Sequence, residues 1–123
     1  MRLPEDDEDF LNRKGYQWAI FPEGNGACLV ISKYGLAPRY SPGEIDLMIR
    51  IPAQYNIAGL DMFYVDPPVQ FKATGSFPQA AEVFENYCGR RWQRFSRHLQ
   101  QPWRAGVDGL PMFLAIIERE LRT

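Results

Sequence analysis

The chain has 123 residues, of which 46% are apolar and 14% aromatic, enough for one hydrophobic core and too few for a second. Its net charge of −1 supplies no overall field toward nucleic acid or a membrane surface. Two cysteines exclude a disulfide scaffold, no basic-then-apolar leader opens the chain, and no apolar run could span a bilayer, so the expected compartment is the cytoplasm with both thiols reduced.

Residues 4–14 read as a helix. Pro4 suits a first helical position, Glu5, Asp6, Asp7, Glu8 and Asp9 lie toward its start, and Arg13 and Lys14 lie in its last turn, so the charges complement the helix dipole. The acidic run is therefore explained by helix physics. Gly15 is a natural stop.

Residues 16–22 read as a first strand, followed by a Glu23-Gly24-Asn25-Gly26 turn. Residues 27–34 read as a second strand, with Cys28 inside it among Leu29 and Val30. The stretch 35–43 is a loop with Pro38 and Pro42. Residues 45–51 alternate Ile45, Leu47, Ile49 and Ile51 with Asp46, Met48 and Arg50, the period of a strand with one buried face. Residues 61–65 form a fourth strand stopped by Asp66-Pro67-Pro68. Short links between consecutive strands predict an antiparallel meander.

Residues 69–107 are the least regular, with a short helix expected over 79–87. A final helix is expected over about 109–121, N-capped by Asp108, with Leu110, Phe113, Leu114, Ile117 and Leu121 on one face. The fold class is thus a single α+β domain over residues 1–123. A long, aromatic, arginine-rich stretch inside a compact domain usually carries function, so the site is expected there.

Helix, four-strand meander, irregular stretch and helix is the order of the ubiquitin-conjugating enzyme (UBC) fold, and particular residues add to the likeness. Pro52-Ala53-Gln54-Tyr55-Asn56 resembles the Pro-x-x-Tyr-Pro that follows the third strand there. Asp66-Pro67-Pro68 falls where that family has His-Pro-Asn. Pro102-Trp103 before an amphipathic helix resembles the tryptophan and helix that follow the catalytic cysteine. The run from Gly89 to His98, with Arg90, Arg91, Trp92, Arg94, Phe95 and Arg97, then Trp103 and Gly106-Val107-Asp108-Gly109-Leu110, resembles the signature of the bacterial UBC-like group called prokaryotic family E.

This resemblance implies a UBC-like fold and a role in a bacterial ubiquitin-like conjugation pathway associated with phage defence. Partners would be a ubiquitin-like protein, a ThiF-like activating enzyme and, in the same pathway, a JAB-type peptidase. A conjugating enzyme of this kind accepts the ubiquitin-like protein as a cysteine thioester and passes it to an amine. The chain departs from the UBC pattern at three places. Asn56 replaces a proline, Asp66-Pro67-Pro68 lacks both His and Asn, and one strand-length back from Trp103 lie Phe95 and Ser96 rather than Cys88. The alternative is therefore a non-catalytic UBC-like module that binds a ubiquitin-like protein or activating enzyme.

The candidate catalytic residues are Cys88, His98 and Asn86. Cys88 would be the nucleophile, its thiolate favoured by Arg90 and Arg91, or else a half-buried cysteine closing a short helix. His98 would be a base or orienting group, or a side chain bonded to nearby backbone. Asn86 would offer an amide donor to the oxyanion. Arg90, Arg91, Trp92, Arg94, Arg97 and Trp103 are candidate binding residues, against the alternatives of a solvated basic face and aromatic core. Nucleic acid is not the expected partner, since no reader motif accompanies the arginines. One histidine and two cysteines far apart in sequence do not make a four-ligand zinc site, so neither a structural metal nor a cofactor is expected.

Overall fold

The computed structural model describes residues 2–123. The first helix, α1 (Glu5–Arg13), is followed by β1 (Gln17–Glu23), β2 (Gly26–Gly35), β3 (Tyr40–Ser41), β4 (Glu44–Ile51), β5 (Phe63–Asp66), β6 (Gln70–Phe71), β7 (Val83–Tyr87), β8 (Arg90–Phe95) and the last helix, α2 (Leu110–Leu121). The expected helices and the four-strand meander are present, with the meander formed by β1, β2, β4 and β5. The sheet continues further, however, to six antiparallel strands in the order β1-β2-β4-β5-β8-β7, and β3 pairs with β6 in a separate two-stranded ribbon.

The helix expected over 79–87 is instead the strand β7. Val83, Phe84 and Tyr87 are β-prone residues, and Cys88-Gly89 closes a two-residue hairpin. Both turn residues have positive φ, 51° and 73°, and Tyr87 pairs directly with Arg90 across them. That is the geometry of a turn that matches strand twist. Gly89 adopts it freely, whereas Cys88 is held there by its neighbours.

One sheet face packs under the helices. Leu29, Ile31, Leu47, Ile49, Phe63, Val65 and Phe95 meet Leu110, Phe113, Leu114, Ile117 and Leu121, all buried. The Phe63 and Phe95 rings stack at 4.7 Å across the β5–β8 pair. The opposite face carries a second, smaller core of Cys28, Val30, Met48, Tyr64 and Trp92, with Tyr87 and Cys88 packed against it. Among the described residues no helix covers this face. The sheet instead curls, so that the β7–β8 turn at one edge lands on β1 at the other: the Cys88 N–H donates to Glu23 Oε2 at 2.7 Å.

Asp108 does not cap α2. The residue ahead of the helix is Gly109, which has no side chain to donate a cap, and Pro111 sits in the first turn. The Asp108 carboxylate turns back to Arg104, accepting from its backbone N–H at 2.8 Å and from its guanidinium at 2.8 and 3.0 Å. The start of α2 is held from elsewhere. The Tyr55 hydroxyl accepts from the Leu110 N–H at 2.8 Å and donates to Asp7 Oδ2 at 2.6 Å, tying α1 to α2.

Gln93 locks the irregular stretch 67–82 onto the sheet. It is 1% exposed; its oxygen accepts from the Val69 N–H, and its amide nitrogen donates to the carbonyls of Val69 and Ala81. Replacing Gln93 by Leu leaves three buried backbone groups unpaired. The expected loss is about 3 kcal/mol of unfolding free energy, read from urea denaturation.

Burial raises the Asp7 carboxyl above its ordinary value, against the hydrogen bond from Tyr55. The folded state therefore holds that proton more tightly than the unfolded chain. The associated stability is present below the ordinary carboxylate pKa and is lost as pH rises through the raised folded value. Asp7→Asn keeps an acceptor for Tyr55 and removes the titration. The stability of the native protein relative to this variant should fall as pH rises above the ordinary carboxylate pKa of about 4, measured by denaturation across an acid-to-neutral pH series.

Candidate functional site

The predicted catalytic residues do not converge. Cys88 sits at the hairpin turn before β8, and His98 lies beyond the other end of that strand. Six residues at about 3.3 Å each put roughly 20 Å between the strand's ends. His98 is exposed, and its Nδ1 lies 3.5 Å from Asp61 Oδ1. Asn86 is two residues from Cys88, but it pairs with Arg91, and strand alternation puts these two on the face opposite Tyr87 and the cysteines. Its amide has no path to a group reacting at Cys88.

The two arginines expected beside Cys88 are engaged elsewhere, and the cation that does approach it is Arg50, stacked on the Tyr87 ring. Arg90 is held by Asp46 and Asp66 at 3.0 and 2.7 Å and lies over the Trp92 ring. Arg91 lies over Phe84. Instead, the Cys88 thiol faces the Phe21 and Pro22 carbonyls, the buried Cys28 and the Glu23 carboxylate. Burial raises its pKa above the ordinary thiol value; contact with the Cys28 thiol opposes that rise and Glu23 reinforces it. Cys28 is pushed up to about 12, chiefly by burial and then by Cys88. Glu23 is held below the usual carboxylate range by the hydrogen bond from the Cys88 backbone.

The two cysteines, so far apart in sequence, are therefore neighbours in the fold. The donor atoms of Glu23, Cys28 and Cys88 lie within 4.8 Å of one another. The hairpin signal that would have brought them together is the two β-prone runs on either side of Cys88-Gly89.

The arginines do not form one basic face. Arg94 pairs with Glu85 at 2.8 Å, and Arg97 pairs with Glu120 and donates to the Gln79 carbonyl. Strand alternation sends Arg90 and Arg94 to one face and Arg91 to the other. Trp92 is wholly buried, with its indole N–H donating to the Tyr87 carbonyl, so it belongs to the second core and not to a binding surface. Trp103 is half-buried against the main core. Its indole N–H donates to the Asn56 carbonyl at 3.0 Å, and Asn56 Nδ2 donates to the Asp108 carbonyl. Gly59 lies under this indole so closely that a Cβ there would come within 2.6 Å of the ring. The UBC-like segment 52–56 and the Trp103–Asp108 segment thus brace one another.

A second candidate site opens where β8 ends. A groove of about 380 Å³ is lined by Arg39, Phe71, Gln79, Ser96, Arg97 and His98, among others. Its residues include Ser96, which stands one strand-length before Trp103. Phe95 beside it is buried in the core, and the Ser96 N–H is bonded to the Ala80 carbonyl. Arg39, a cation, and His98 are exposed on the rim, and Glu120 is occupied by Arg97. A larger depression runs along α1 past Asp6, Phe10 and Arg13, remote from both cysteines.

Comparison with known proteins gives one family. Its model, described as Prokaryotic E2 family E, matches residues 3–123. No curated protein and no solved structure is significantly similar.

Alkylation distinguishes the two thiols directly. Cys88 is half-exposed and Cys28 is fully buried. Iodoacetamide applied to the folded, metal-free protein should label Cys88 and leave Cys28 free until denaturant is added, as read by peptide mass spectrometry.

Proposed function

The chain belongs to prokaryotic E2 family E, whose general business is the conjugation of ubiquitin-like proteins in company with those proteins and their activating enzymes, and on that premise we propose that it is a non-catalytic E2-like module that binds a ubiquitin-like protein. The observation that carries this reading is the groove at the end of β8. It lies at the position that the resemblance assigns to the nucleophile, yet it presents Ser96 and not a thiol. Cys88 is at the far end of the strand, beside a carboxylate and away from His98 and Asn86.

The groove suits an extended, flexible chain terminus. The Arg39 guanidinium on its rim attracts a terminal carboxylate, His98 offers a ring N–H, and the Phe71 and Pro78 side chains offer apolar contact. Binding there needs no proton transfer and no activated thiol. Such a module would hold the ubiquitin-like protein for another component of the pathway, with the activating enzyme as the partner that supplies it.

A second reading is favoured by one observation, the half-exposure of Cys88. On that reading Cys88 carries the ubiquitin-like protein as a thioester: its sulfur attacks the activated carbonyl, the donor thiol leaves, and an amine later displaces Cys88.

One experiment separates the two. The protein is incubated with the cognate activating enzyme, ATP and ubiquitin-like protein, then run on a non-reducing gel, while affinity is measured by calorimetry. The binding module shows reversible association and no thiol-sensitive adduct. Arg39→Glu together with His98→Glu weakens association about tenfold, or about 1.4 kcal/mol. A thiol-sensitive adduct that disappears in Cys88→Ala would overturn this reading in favour of the thioester.

A further inference from the structure

Glu23 and Cys28 come from the β1–β2 hairpin and Cys88 from the β7–β8 hairpin, and they meet where the curled sheet closes on itself. Cys28 is in β2, paired with Phe21 of β1 and Arg50 of β4. Glu23 ends β1. Cys88 is the first residue of the β7–β8 turn. Their sulfur and carboxylate atoms lie within 4.8 Å of one another. We propose that these three residues form a zinc-type metal site that clasps the β7–β8 hairpin to the β1–β2 hairpin.

The donor set suits that metal. Two thiolates and a carboxylate are zinc ligands, with Zn–S near 2.3 Å and Zn–O near 2.0–2.2 Å, which spaces tetrahedral ligands about 3.5 Å apart. Drawing the three donors, now within 4.8 Å of one another, onto one ion requires the Cys88 turn to move by about 1 Å. The Glu23 carboxylate is already oriented, since the Cys88 N–H holds Oε2 at 2.7 Å and leaves Oε1 for the ion. Water completes the coordination from the open side, where Cys88 is half-exposed.

Charge also closes. Two thiolates and one carboxylate carry three negative charges, and a divalent ion supplies two positive charges. The third comes from Arg50, which lies beside Cys28 in register and stacks on the Tyr87 ring at 4.2 Å. Without an ion the thiols stay protonated in this half-buried, anionic setting. Uptake exchanges the two thiol protons for one divalent cation, with no change of oxidation state.

This site is independent of the groove at the other end of β8, so either can fail without the other. The test uses the full chain, purified under reducing conditions and stripped with a chelator. It is titrated with Co²⁺ as a spectroscopic probe, then with Zn²⁺. The expected result is one cobalt per chain, an intense thiolate-to-cobalt charge-transfer band in the near ultraviolet, its displacement by Zn²⁺, and a higher melting temperature with Zn²⁺. Cys88→Ser, at a surface turn, should retain the native circular dichroism and lose the band. Glu23→Gln should bind cobalt at least tenfold more weakly. Cys28 is avoided as the primary variant because it is wholly buried. No band in the native protein at stoichiometric cobalt would overturn the proposal, as would a band that survives in Cys88→Ser. Conversion of the pair to a disulfide in air, with no metal uptake by the reduced protein, would also overturn it and assign the two thiols a redox role.

Discussion

β8 lies between β5 and β7, and it buries Trp92 on one face and Gln93 and Phe95 on the other. A strand buried on two faces cannot leave its polar residues unpaired. Arg90 therefore sits between Asp46 and Asp66, Arg94 on Glu85, and the Gln93 amide on the backbone of residues 69 and 81. These contacts turn what reads as a long irregular stretch into part of the sheet. They also turn what reads as a basic patch into a set of separate, partly exposed ion pairs.

The second consequence of β8 is the curl. Trp92 needs cover on a face that no helix reaches, and cover comes from Tyr64, Tyr87 and the hairpin turn itself. Closing the sheet over this small core brings Cys88 onto the end of β1. The same rotation carries the strand's other end toward α2, where Ser96, Arg97 and His98 line the groove. The two candidate sites are therefore the two ends of one strand, and the distance between them is set by its length. A nucleophile at one end cannot use a histidine at the other.

The UBC-like segments act chiefly as braces. Tyr55 links Asp7 to the start of α2, and Asn56 accepts from Trp103 while reaching Asp108. The departure from proline at Asn56 has a structural use, since its side-chain amide holds the turn before α2. Asp66, standing where the UBC family has His-Pro-Asn, is an ion-pair partner of Arg90. Family membership thus sets the scaffold, while the chemistry at each position follows from what the local side chains touch.

Periodicity and turn residues alone determined the two helices, the four meander strands and the buried face of α2. Each of these rests on local patterning, such as the alternation over Ile45–Ile51 and the apolar stripe from Leu110 to Leu121. The Trp92-to-His98 run pointed to the family without any coordinates. The tertiary structure decided the rest, because the deciding contacts are long-range. Cys88 reads locally as the end of a helix, and only the pairing of Tyr87 with Arg90 makes it a turn. Cys28 reads as core, and it is core; its meeting with Cys88 and Glu23 depends on the curl that buries Trp92. Asp108 reads as a cap until Arg104 takes its carboxylate. Charge, turn chemistry and period are properties of neighbours in sequence, whereas partners for arginines, thiols and buried amides are chosen by which strands come to lie side by side.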